Sequence, residues 1–231
     1  MSFKQWAKEN PTAYFFIDLI FNIVVIIMLV YGVRTYLISP FQVFGPSMCD
    51  TLNYIDDTCQ SSYGEYLIVN KAIYRIGEAK RGDVIVFDAP HLDISEPQEY
   101  YIKRVIGLPG ERVEIRDGRI YIHTKDSTKA IELNEIYLNE TNKNRTFTHL
   151  ASRNIIYPVV PENKYFVMGD NRQRSTDSRT CFESTSRNGC ADENRHFLPK
   201  ERIAGKAWFI LWPFDKARIL KNPSYSLDLE I

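Results

Sequence analysis

From Tyr14 to Tyr36 the chain runs almost unbroken through apolar side chains, YFFIDLIFNIVVIIMLVYGVRTY. As a helix this is roughly 23 residues and ~34 Å, enough to cross a bilayer core. The segment therefore reads as a single transmembrane anchor. Asp18 and Asn22 lie one turn apart near its N-terminal end, where a polar group reaches the interface at less cost than at the bilayer centre. No small-x-small site follows before Pro40, so a retained anchor is expected in place of a cleaved leader. Lys4 and Lys8 precede the span and Arg34 closes it; the positive-inside bias, though weak, places the N-terminus in the cytoplasm. The expected division is a cytoplasmic tail over 1–13, the anchor over 14–36, an extracytoplasmic domain over 37–220 and a tail over 221–231.

With 44% hydrophobic and 25% charged residues, the rest of the chain has the composition of a folded domain. Lysine plus arginine and aspartate plus glutamate balance at 29 each, so no basic field points to nucleic acid. All four cysteines, Cys49, Cys59, Cys181 and Cys190, lie beyond the anchor as two short-range couples, which agrees with an oxidising compartment. Of the three pairings that four cysteines allow, the most local joins Cys49 to Cys59 and Cys181 to Cys190. His91, His123, His149 and His196 are scattered, and no Cys-x-x-Cys occurs, so neither a metal nor a cofactor is expected.

Beyond Pro40 the chain breaks into short β-rich runs: Tyr66 to Val69, Val84 to Phe87, Tyr100 to Ile106, Arg112 to Ile115, Arg119 to Ile122, Tyr165 to Met168 and Ala207 to Leu211. These read as strands. Asp117-Gly118 is a hairpin signal and Pro109-Gly110 a turn. Between about 124 and 163 the composition shifts towards Asn, Thr, Glu and Lys, as in an inserted cap lobe. The fold class is mainly β, behind one helix.

Three segments carry chemistry. Ser47 follows Gly45-Pro46, a pair that shapes a turn and exposes a hydroxyl, although ordinary loops share the pattern. A serine hydroxyl is a weak nucleophile until a positioned base takes its proton. Lys103, set among Tyr100, Tyr101, Ile102, Val105 and Ile106, is the candidate, because burial disfavours the ammonium and can leave a lysine neutral near pH 7. A strand lysine laid over apolar surface looks the same in sequence. After Tyr165 to Met168 comes GDNRQRSTDSR, residues 169–179, in which Ser175 is placed to orient a neutral amine and Asp177 with Arg179 to pin the loop.

In one order behind one anchor stand Gly45-Pro46-Ser47-Met48 with Thr51-Leu52, GEYLIVNK at 64–71, RGDVIVF at 81–87, YYIKRVIGLPGE at 100–111, GDNRQRSTDSR at 169–179 and IAGKAWFILWP at 203–213. This succession resembles the bacterial type I signal peptidases, Ser/Lys endopeptidases that remove signal peptides from exported proteins. The resemblance implies Ser47 as nucleophile, Lys103 as general base, Ser175 as the hydroxyl holding the amine, and Asp177 and Arg179 as structural supports. It implies an oxyanion donor in the Ser47 backbone N–H; where some members add a serine hydroxyl two positions earlier, this chain has Gly45. Phe41, Gln42, Val43, Tyr101 and Ile102 match positions lining shallow pockets for small side chains before the cut, as in Ala-x-Ala. The partners implied are signal peptides of preproteins, the lipid bilayer and the secretion machinery.

The chain departs from the pattern in three places. Asp50 stands where the family usually has proline, about ten residues separate Thr51-Leu52 from Gly64-Glu65, and a Cys181 to Cys190 segment follows Arg179. Two other readings are weaker. A self-cleaving Ser/Lys repressor would carry a DNA-binding domain in place of the anchor, and a scaffold that had lost catalysis would have no need of Ser47, Lys103 and Ser175 together.

Overall fold

The computed structural model describes residues 3–56, 58–90, 99–125, 129–147, 154–183, 190 and 192–225. His91 and His149, six residues at the C-terminal end of the expected tail (226–231), and residues 126–128 and 148–153 of the expected lobe lie outside these ranges. Two compact units are present, 1–39 and 40–231.

The first unit is helical. A short α1, Phe3–Glu9, occupies the expected N-terminal tail, and α2 follows over Pro11–Tyr36. Pro11 suits the first turn of α2, where its missing N–H has no intrahelical partner to lose. At 26 residues the helix is about 39 Å long, and it is long and apolar enough to cross a membrane. The two polar residues inside it answer each other: Asn22 Nδ2 donates to the Asp18 carbonyl at 2.8 Å and to Asp18 Oδ2 at 3.1 Å.

The second unit is built from strands. In chain order these are β1 (Ile38–Phe44), β2 (Tyr54–Ile55), β3 (Thr58–Cys59), β4 (Tyr63–Asn70), β5 (Val84–Asp88), β6 (Tyr100–Gly107), β7 (Arg112–Arg116), β8 (Arg119–His123), β9 (Ile131–Glu132), β10 (Asn154–Ile156), β11 (Lys164–Met168), β12 (Leu198–Pro199), β13 (Ile203–Trp212) and β14 (Arg218–Ile219). The larger sheet runs β1-β4-β13-β5-β6-β11-β12, with β14 added to β13. Its last long strand thus lies between two early ones. A second sheet runs β10-β7-β8-β9, and β2 pairs with β3.

The continuous apolar run of β5 follows from burial on both faces. Val84 and Val86 enter one core cluster with Val43, Met48, Leu52, Leu67, Val69, Ala207 and Ile210. Ile85 and Phe87 enter another with Val105, Tyr165, Val167 and Leu198. A third cluster joins the sheets through Ile106, Val113, Ile115, Ile120, Ile122, Phe166 and Met168. The hairpin at Asp117-Gly118 pairs Arg116 with Arg119, with Asp117 and Gly118 both at positive φ, as a two-residue turn between twisted strands requires.

Two segments are more integrated than the sequence suggests. In the lobe, β10 pairs with β7 and β9 with β8, and Leu133, Tyr157 and Val160 enter the third cluster. In the expected tail, Tyr225 is buried in that same cluster.

Candidate active site

Gly45 ends β1 at φ +82°, in the left-handed region that a side chain resists, and swings the chain into a tight turn. Within it Cys49 N donates to the Pro46 carbonyl at 3.1 Å, and Leu52 N to that of Met48 at 2.7 Å. Asn53, fully buried, holds the turn from behind by donating Nδ2 to the Gly45 carbonyl at 3.1 Å while its Oδ1 accepts from Glu65 N at 3.0 Å. From the far side Asn171 staples it, donating its N–H to the Ser47 carbonyl at 3.1 Å and its Nδ2 to that of Pro46 at 3.0 Å. Cys49 is crosslinked to Cys59, with Cα atoms 5.4 Å apart. Ser47 is thereby fixed on four sides.

Lys103 comes from β6, where it pairs with Ile85 of β5. Its side chain is buried, and Nζ donates to Ser47 Oγ at 2.9 Å and to the Ile102 carbonyl at 2.9 Å. Burial pushes the Lys103 ammonium down to about 8, against the opposing pull of Asp177 and Asp170. A lysine with this value exchanges its proton near physiological pH. It is the buried strand lysine, not the surface one, that the structure contains.

The 169–179 loop closes over the pair. Gly169 has no room for a side chain: a Cβ would stand 2.2 Å from Ser175 Oγ and 2.4 Å from the Ser47 carbonyl. The absent side chain lets the two serine-bearing segments pack together. Ser175 Oγ is buried there without a hydrogen bond of good geometry, close to Asp177; the sequence-expected bond from Ser175 to the Lys103 amine is not formed in this structure, where Nζ is spent on Ser47 and Ile102. Asp177 and Arg179 form a fully buried two-pronged ion pair, with Nε to Oδ1 at 2.9 Å and the second nitrogen to Oδ2 at 2.8 Å. Burial alone would raise the Asp177 carboxyl; Arg179 and the Gly169 N–H, which donates at 3.0 Å, hold it below its usual value.

Two networks escaped the sequence reading. Arg104, next to Lys103, donates Nε to Asp170 Oδ1 at 2.9 Å and its terminal nitrogen to Oδ2 at 2.6 Å, while Thr51 Oγ1 donates to the same Oδ2 at 2.5 Å. Arg172 carries the loop into the lobe through Glu135 at 2.7 Å, Thr146 at 2.9 Å and Tyr137 at 3.2 Å. Arg104, Arg172 and Arg179 are among the largest fully buried side chains. Arg104 and Arg172 look like surface residues in sequence, because their partners are far away along the chain.

Ser47 and Lys103 open into a cleft of about 620 Å³ whose walls include all five expected substrate positions, Phe41, Gln42, Val43, Tyr101 and Ile102. Arg174 and Thr176 form part of its rim.

Cys181 and Cys190 are joined, Cα atoms 5.9 Å apart. This crosslink gathers what the sequence shows as scattered, since His196 Nδ1 lies 3.6 and 3.4 Å from the two sulfurs and 2.6 Å from the Ser178 carbonyl. The sulfurs are spent on each other and offer no thiolate for a metal.

A family model described as signal peptidase, peptidase S26, matches residues 16–212. A signal peptidase I of Bacillus licheniformis is 36% identical over 197 residues, covering 85% of this chain and 88% of the relative. The signal peptidase I P of Bacillus subtilis subsp. natto is 35% identical over 215 residues, covering 93% and 98%. A crystal structure of a signal peptidase I from Enterococcus faecalis V583 aligns with a TM-score of 0.39 and 29% identity over 57% of this chain and 97% of that one. The chain belongs to the signal peptidase family, peptidase S26, serine endopeptidases that remove signal peptides.

Proposed function

We propose that this chain cuts signal peptides from exported preproteins with Ser47 as nucleophile and Lys103 as general base. The observation that carries the reading is the 2.9 Å contact of the buried Lys103 amine with Ser47 Oγ at the mouth of a peptide-sized cleft. Neutral Lys103 removes the Ser47 hydroxyl proton as Oγ attacks the scissile carbonyl. The tetrahedral oxyanion accepts a hydrogen bond from the Ser47 N–H. Collapse expels the mature chain as an amine, which takes the proton from the Lys103 ammonium. Water, deprotonated by neutral Lys103, then attacks the ester; the signal peptide leaves as a carboxylic acid and the Lys103 ammonium returns the proton to Ser47 Oγ. Ser175, whose buried hydroxyl lies beside Asp177 without a hydrogen bond of good geometry, rotates that hydroxyl to the amine once Lys103 gives up its contact with Ser47.

Phe41, Gln42, Val43, Tyr101 and Ile102 form shallow pockets that accept small side chains at the first and third positions before the cut, giving Ala-x-Ala specificity by steric exclusion. The apolar helix anchors the chain in the membrane with its N-terminus in the cytoplasm and its peptidase domain outside, where preproteins emerge from the secretion machinery. The test is incubation of the detergent-solubilised protein with a preprotein and mapping of the cut. Cleavage after Ala-x-Ala, lost in Ser47→Ala and in Lys103→Ala and no worse in the double variant, is the expected result, because residues acting as one unit are not additive. Substantial cleavage by Lys103→Ala would sink the assignment of the base.

A further inference from the structure

Beside the Ser47 turn lies a second cleft of about 290 Å³, lined by Cys49, Asp50, Tyr54, Asn139, Gln173 and Arg174 among others. Arg174 borders this cleft and the larger one alike, so the two are adjacent, with the Ser47 turn contributing residues to both. The larger cleft takes its walls from β1 and β6, the side on which the residues before the cut are read to lie. An extended peptide advances about 3.3 Å per residue, so a chain crossing Ser47 out of the larger cleft reaches the second within its next few residues.

We propose that the second cleft is a leaving-side subsite that receives the first residues of the mature chain, and that Asp50 makes it prefer a cationic side chain there. The inference rests on the peptidase reading above. Asp50 is positioned for this by the lobe, accepting from Asn139 N at 2.9 Å and from Asn142 Nδ2 at 2.9 Å. A carboxylate has about four lone-pair sites, so two bonds leave capacity for a lysine or arginine of the substrate. Gln173 is tied to the Thr141 carbonyl at 2.7 Å, which joins the loop to the lobe across the cleft. The Cys49–Cys59 crosslink forms part of the wall. Aspartate in place of the usual proline, the crosslinked insertion after Leu52 and the lobe all converge on this one cleft. Arg174, exposed on the rim, is the opposing charge that weakens the preference without reversing it.

The experiment uses the full-length protein and three preproteins with one signal peptide and one Ala-x-Ala, differing only in Lys, Ser or Glu at the first three mature positions. The readout is the ratio of kcat/KM for the Lys and Glu substrates within each enzyme, which general loss of folded protein leaves unchanged. In the unaltered protein the Lys substrate is expected to be favoured on the order of 3- to 10-fold, the scale of a partly exposed ion pair. Asp50→Asn brings the ratio to about one, and Asp50→Lys inverts it. No preference in the unaltered protein, or the same preference in Asp50→Asn, overturns the subsite while leaving the peptidase intact. Absence of cleavage of all three substrates overturns the peptidase reading and the subsite with it. Should the Asp50 variants be inactive, Arg174→Gln decides: its Lys-to-Glu ratio must rise, and an unchanged ratio overturns the proposal.

Discussion

Arg104 and Asp170 form a two-pronged ion pair, fully buried, with one partner the strand neighbour of Lys103 and the other the loop neighbour of Gly169. The pair ties the strand that supplies the proposed base to the loop that closes over it. Thr51, donating to the same carboxylate, adds the turn that carries Ser47.

Removing one member of this pair leaves a buried charge without its partner. Asp170→Ala is expected to lower stability by about 3 to 5 kcal/mol, far more than loss of the exposed Lys125–Glu162 pair, which is worth on the order of 0 to 1 kcal/mol. Denaturant melts of Asp170→Ala and Glu162→Ala check the contrast; equal midpoints would refute it.

Gly169→Ala adds a single methyl where the Ser175 hydroxyl and the Ser47 carbonyl leave no space. One segment must withdraw, and either movement disturbs the geometry at Lys103. Activity on a preprotein is expected to fall at least 100-fold, since displacement by ~1 Å at a reacting centre costs that much, while the protein stays folded by circular dichroism. Near-full activity would show that the packing at Gly169 has slack.

The pH profile follows from Lys103, whose amine must be neutral to accept a proton. With its pKa lowered to about 8 by burial, kcat/KM should rise tenfold per pH unit below about 8 and level off above it. Stability moves in the same direction: between about 8 and the ordinary lysine value of 10.5, the unfolded chain binds the proton that the folded one has lost, so unfolding becomes harder as pH rises. A limb with an inflection near 10.5 would mean that Lys103 titrates as an exposed lysine.

The Cys49–Cys59 bridge closes a loop of ten residues, for which chain-entropy models give about 2 to 3 kcal/mol. It also stiffens the turn where Asp50 takes the place of the usual proline. Cys49→Ser/Cys59→Ser is expected to melt earlier and to lose activity as well, because it frees the chain two residues after Ser47. Full activity in that variant would confine the bridge to a stabilising role, and alkylation of Cys49 in the oxidised protein would exclude the bridge itself.

What could be read from the sequence was whatever repeats at short range. Val84 to Phe87 and Tyr165 to Met168 declare strands by composition, Asp117-Gly118 declares a hairpin, and Ser47, Lys103 and Ser175 stand in blocks whose order points to one family. The lobe was harder, since its strands β9 and β10 are two and three residues long and acquire their place from β8 and β7. Nor does anything local distinguish Arg104 and Arg172 from surface arginines, whereas Arg179 stands two residues from its partner Asp177. Arg104 and Arg172 owe their burial to Asp170 and Glu135, which lie 66 and 37 residues away. Tyr225, after a proline and a serine, gives no sign that it fills the core.

The placement of β13 couples the two halves of the sheet that carry the proposed site. Ser47 follows β1, at one side of the sheet with β4; Lys103 lies on β6, at the other side with β5; and β13 is the strand that joins those halves. Residues 203–212 pair with β4 on one side and β5 on the other, so within the larger sheet the strands behind nucleophile and base are held in one register through a strand that contributes no side chain to either. A proline placed within β13 would therefore break the sheet between nucleophile and base, although neither residue lies on the altered strand.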